Sequence, residues 1–161
     1  MQQGLLALFL ATGLSLSLLS CSKDPNLSND PSEQSKATSV ATRFIEAFAT
    51  GNSNLAFEMS EVPFWGDGDL ILDRQELENQ MIEQTENLSP PQLKIKGTMM
   101  MSLSQLEIIN PELHHQIQKE ISTGDVYAIS VLLDIEGDEE HGVVLVKRQA
   151  DGIWKVIGMG N

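Results

Sequence analysis

Cysteine is nearly missing from this chain of 161 residues: Cys21 stands alone. One thiol can neither close an intrachain disulfide nor build a cysteine-based zinc site, so stability has to come from a packed core. Basic residues are scarce as well, 10 Lys+Arg against 23 Asp+Glu, for a formal net charge of -13. A surface of that sign repels nucleic-acid phosphates and anionic headgroups alike. It argues against nucleic acid as a partner and against a membrane-surface site on the folded part, and its simplest meaning is solubility. The chain also lacks a phosphate-cradling glycine loop, a nucleotide fingerprint, any local Ser/His/Asp or Cys/His spacing, and any internal repeat. The reading includes no cofactor and no metal.

What stands at the start is an apolar stretch, Leu5 to Leu19, with no charged residue before Lys23. A bilayer-crossing helix needs about 20 apolar residues. This stretch is shorter and ends in small residues, as a removable export signal does. Its last four residues, Leu18-Leu19-Ser20-Cys21, resemble the lipobox of a bacterial lipoprotein. In that family the thiol takes a diacylglyceryl group as a thioether, cleavage falls before the cysteine, and a chain such as palmitate caps the freed amine. An ordinary secretory signal fits the same residues but would leave an exported protein with an unpaired reactive thiol. The resemblance therefore implies lipidation at Cys21 and a cell-envelope location. The neutral Ser22 implies the outer membrane, facing the periplasm, if the cell is Gram-negative.

From Ser22 to Thr38 the only non-proline apolar residues are Leu27 and Ala37. So little apolar surface cannot order a segment. The expected organisation is a signal peptide over 1–20, a lipidated cysteine and flexible linker over 21–38, and one domain over 39–161. As a coil, the linker spans roughly 20–25 Å. In the domain, Val40, Ala41, Phe44, Ile45 and Phe48 mark one face of a helix ending at Gly51-Asn52, and a short helix follows from Ser53 to Ser60. Phe64 to Asp69 reads as a strand entering a glycine turn, then Leu70-Ile71-Leu72, then a helix opened by Asp73 and Glu76. Beyond Pro90-Pro91 the period becomes two. Leu93, Ile95, Met99, Met101 and Leu103 alternate with polar residues and Met100 along a long half-buried strand. Asn110-Pro111-Glu112 starts a helix running to about Thr123. Three antiparallel strands end the chain, beginning with Val126 to Ile135, where both faces are apolar enough to be covered.

This order resembles the nuclear transport factor 2-like superfamily, also called SnoaL-like or cone fold. The resemblance is carried by Ala41 to Asn52 at one end and by Val144 to Ile157, with its Asp-Gly-Ile-Trp-Lys-Val phrase, at the other. It implies an α+β fold, helices packed on a curved antiparallel sheet around a cavity, and it allows a homodimer through the open sheet face. In the superfamily's ketosteroid isomerases a tyrosine on the first helix and an aspartate after the second do the chemistry. Here those places hold Phe44, Phe48 and Pro63-Phe64-Trp65, so the catalytic pattern does not carry over. The cavity candidates are Phe44, Trp65, Asp67, Asp69 and Tyr127. A carboxylate against the Trp65 ring could have the raised pKa of a general base, although a solvated glycine turn accounts for Asp67 and Asp69 more simply. His114-His115 and His141 read as surface residues, and the acidic run Asp134 to Glu140 reads as a hairpin tip, since it lacks calcium-loop spacing. The function expected is a non-catalytic binding module for a small apolar ligand or an envelope protein. The alternative is a cofactor-free enzyme, an isomerase, dehydratase or hydrolase, using a cavity carboxylate.

Overall fold

The computed structural model describes residues 30–66, 68–86, 93–123, 125–135 and 137–160. Three helices lead the chain, α1 (Pro31–Ala49), α2 (Ser53–Met59) and α3 (Arg74–Glu86), with two strands, β1 (Ser60–Gly66) and β2 (Asp69–Ile71), before α3. Then come β3 (Leu93–Met101), a helical pair α4 (Leu103–Ile109) and α5 (Pro111–Thr123), and a meander of β4 (Val126–Ile135), β5 (Asp138–Arg148) and β6 (Trp154–Gly160). One six-stranded sheet runs β2-β1-β6-β5-β4-β3. Among the described residues only β1 and β6 pair in parallel. Bulges in three of its ladders bend it. The α+β fold read from the sequence, helices packed on a curved and mostly antiparallel sheet, is the fold observed.

The first helix is longer than expected. It starts at Pro31, so residues 31–38 belong to the domain and not to a tether. Asp30 caps it by accepting from the Ser32 N–H at 2.8 Å, and Pro31 occupies the first turn, where no donor is missed. Ala37 and Ala41 are fully buried one turn apart, in line with Phe44 and Ile45. Alanine adds little apolar area, but it lets the helix lie close to the sheet, and a count of large apolar residues passes over it.

β3 differs too. Its ladder with β4 slips between Ile95 and Gly97, where two residues oppose one. The slip reverses the side-chain phase. Ile95 and Met100 now face α1 while Met101 faces the opposite side, so simple alternation through Met99 and Met101 does not hold. The strand also stops at Met101. Ser102 accepts from the Gln105 N–H and Gln105 returns a bond to the Ser102 N–H, a capping box that turns Leu103 into the start of a helix.

The sheet is packed on both faces. On one lie α1, α2 and α3 with Phe44, Phe64, Leu77, Tyr127, Val146 and Trp154. On the other, Leu106 of α4 and Leu113 and Ile117 of α5 cover Trp65, Ala128, Leu145 and Ile157. Glu120 and Lys147 pair between α5 and β5. This face is therefore covered, over this region, by the chain's own α4 and α5.

Candidate functional site

Between the helices and the curved sheet, aromatic and aliphatic side chains of the described residues pack into one core. Phe44 projects from α1 with its ring 6.1 Å from that of Phe48 and 6.4 Å from that of Phe64 on β1. Deeper in, Tyr127 of β4 stacks on Trp154 of β6 at 5.0 Å and 20°. A cleft of about 30 Å³ lies between Phe48, Phe64, Met81 and Met159, with Gln80 and Gln84 among its lining residues. That volume holds about one water. Ligand pockets run to about 300–1,000 Å³.

Polar chemistry gathers at the edge of the aromatic core. The Trp154 indole N–H donates to Glu33 Oε2 at 3.1 Å, Lys36 donates to the other carboxylate oxygen at 2.7 Å, and the Arg148 guanidinium approaches Oε2 to 3.4 Å. These donors, Lys36 foremost, hold the Glu33 carboxyl below its ordinary pKa even though partial desolvation opposes them. The cluster ties the first turn of α1 to the ends of β5 and β6. It is a clasp, and its donors favour the charged form of Glu33.

The cavity residues anticipated from the sequence do not converge. Phe44 and Tyr127 do line the interior, both essentially fully buried. Trp65 does not. It follows Phe64 on β1, adjacent strand residues point to opposite faces, and Trp65 joins the core under α4 and α5. There it crosses Gly158, the only kind of residue that fits: a Cβ at 158 would stand 2.8 Å from the Trp65 carbonyl oxygen. Among the described residues the Trp65 indole N–H has no hydrogen-bond partner. Asp69 is exposed on β2, paired with Gly66 and outside the cleft lining. Asp67 and Cys21 lie outside the described residues. His114 is half-buried, and His115 and His141 are exposed. In the acidic hairpin, Lys96 bridges Asp134 at 3.2 Å and Glu139 at 2.9 Å, which lowers the Asp134 pKa and raises that of Lys96.

A second concavity carries no sequence motif. An open concavity of about 520 Å³ runs along one side of α1, lined by Ser35, Thr38, Ser39, Thr42 and Arg43 together with Met100 of β3. Half of its α1 wall lies in the segment whose composition suggested a linker. The signal that could have found it is the recurrence of Ser and Thr at helical spacing from Ser35 to Thr42.

The sequence matches no family model and no curated protein. Solved structures do resemble the fold. A "putative ketosteroid isomerase" from Shewanella frigidimarina superposes with a TM-score of 0.54 at 16% identity, over 79% of this chain and 94% of that one. The helical cell shape determining protein from Campylobacter jejuni superposes with a TM-score of 0.56 at 10% identity, over 80% of this chain and 41% of that one. Likeness at these identities shows the fold, helices packed on a curved, mostly antiparallel sheet, and nothing of activity.

Proposed function

We propose that this cone-fold chain is an exported lipoprotein, held to the cell envelope by acyl chains on Cys21, whose domain binds an envelope protein with its exterior and does no chemistry in its cone. The observation that carries the reading is the packing of Phe44, Phe64, Tyr127 and Trp154 into one buried core between the helices and the sheet. Of the two occupants expected from the sequence, a small apolar ligand draws less support, because the cleft described beside this core is about 30 Å³. A protein partner gains, since it needs only a surface. In the Campylobacter jejuni neighbour the superposed fold is 41% of the chain, so there the cone is one portion of a larger protein. A cone serving as an attached module is consistent with that.

The lipid supports this division of labour. Burial of acyl chains contributes about 0.8 kcal/mol per methylene, so two or three chains hold the protein without help from an acidic domain. Radiolabelled palmitate should enter the wild-type chain and not Cys21→Ser; label persisting in the variant refutes the anchor. Photo-crosslinkers placed at exposed positions in the living envelope should capture a discrete protein partner. If they capture none while a small apolar compound raises the melting temperature of the wild type, the partner reading is wrong.

A further inference from the structure

The partner's docking site follows from three features that meet beside β3. The first is an unguarded strand edge. β3 is terminal in the sheet, and among the described residues it pairs with β4 alone. Strand edges are usually protected by charge, proline or a bulge. Lys94, Lys96 and the slip at Gly97 protect the first half of β3. The second half, Thr98-Met99-Met100-Met101, has none of these.

The second feature is room. An open concavity of about 520 Å³ lies along α1, and Met100 of this half of β3 is part of its lining. From Pro31 to Arg43 the α1 wall is about 18 Å long at 1.5 Å per residue. An extended chain covers that length with five or six residues. Methionine is an adaptable floor for varied apolar side chains, and the hydroxyls of Ser35 and Ser39 are exposed beside it.

The third feature is charge. Two of the described arginines are engaged: Arg74 bonds the Ser60 carbonyl oxygen and sits 4.4 Å over the Phe57 ring, and Arg148 pairs with Glu33 and Asp125. Arg43 lines the groove, is exposed, and has no ion pair or hydrogen bond among the described residues. A free guanidinium is unusual on a chain whose formal net charge is -13. It selects a carboxylate, which the rest of this surface repels.

We propose that the groove between α1 and β3 takes an extended peptide segment of the partner protein, which adds to the open edge of β3 as a further strand and sets a carboxylate on Arg43. Main-chain hydrogen bonds to β3 supply affinity, and Arg43 with Met100 supplies selection. The proposal rests on the reading that the domain binds a protein.

The test uses full-length lipoprotein in detergent and a fluorescent pool of degenerate hexapeptides, rich in Val, Ile and Thr, each carrying one Glu. Fluorescence anisotropy should show binding of this pool. Binding should weaken at least tenfold with Arg43→Glu, whose unchanged melting curve would show an intact fold, and with a pool carrying Lys for Glu. It should vanish for the same acidic pool N-methylated at alternate residues, which cannot complete the ladder. Hydrogen exchange at β3 amides should slow with the acidic pool. The proposal is overturned if the acidic pool does not bind, if binding survives N-methylation or Arg43→Glu, or if protection appears elsewhere. Protection of β3 that grows with protein concentration alone would assign the edge to a second copy and overturn it equally. A chain that cross-links to an envelope protein yet ignores the pool loses the groove and keeps the partner reading. A chain that binds the pool yet cross-links to nothing loses that reading instead.

Discussion

Truncating Phe44 should turn a filled cone into a hollow one. The side chain is fully buried and touches rings on both α1 and β1, so neighbours cannot move in without leaving their own contacts. Phe→Ala changes at such sites cost about 3–5 kcal/mol, part transfer free energy and part the cavity left behind. For a domain of this size one kcal/mol moves the melting temperature by about 3–5 °C, so Phe44→Ala should melt roughly 10–20 °C lower. The new space is apolar and stays dry, and dry apolar cavities accept benzene-sized compounds. A ligand present at a hundred times its dissociation constant then restores about 2.7 kcal/mol. Melting curves of wild type and variant with and without toluene or indole make the comparison. The variant alone should gain stability from the compound. A variant that melts within about 2 °C of wild type, or a wild type stabilised as much as the variant, would refute the claim that the interior is filled.

Gly158→Ala should destabilise by about 1–3 kcal/mol, because the new methyl meets the Trp65 backbone at 2.8 Å and Leu145 at 3.2 Å. Urea unfolding followed by tryptophan emission reports it, and an unchanged midpoint would contradict the close crossing. Ala37→Asp should lower the melting temperature markedly, since it sets a carboxylate at a fully buried position; if residues 31–38 were only a tether, the substitution would be silent. Stability should be level from about pH 5 to pH 9 and fall on the acid side. Glu33 and Asp134, held low chiefly by hydrogen bonds from Lys36 and Lys96, contribute stability above their ordinary values and lose it as pH drops through their folded ones. Lys96, raised chiefly by Glu139, contributes below its ordinary value, and that contribution fades only as alkali titrates it. Glu33→Gln should flatten the acid limb of melting temperature against pH; an identical limb would remove Glu33 from the account.

Much of this architecture is written in local patterns. The meander from Val126 to Gly160 follows from its apolar runs and the turns at Gly137 and Gly152, and Asp73 marks the start of α3 by accepting from the Glu76 N–H at 2.9 Å. Other features depend on partners far away in the chain. Ala37 matters because the sheet passes beneath it, and Trp154 engages Glu33 across 121 residues. Neither fact has a local signature. Period-two counting also has no way to register a bulge, so Gly97 reverses the roles of Met99 and Met100 unseen. An aromatic beside two aspartates suggests a pocket position for Trp65, yet strand geometry, with Phe64 inside, sends it the other way. The capping box of Ser102 and Gln105 was legible, but it stands at the end of an alternating run whose period masks it.

Inserting α4 and α5 between β3 and β4 has a kinetic consequence. The meander of β4, β5 and β6 closes through short turns, whereas β3 can join only after residues 102–125 have been gathered in. Against a two-residue turn, a gap of that length adds about 2 kcal/mol of closure entropy. The outermost strand should therefore dock late, once the helical pair has compacted, and on the return path it should be the first to let go. Its amides would exchange with solvent sooner than those of β5, so the rim of the sheet breathes while its centre stays shut.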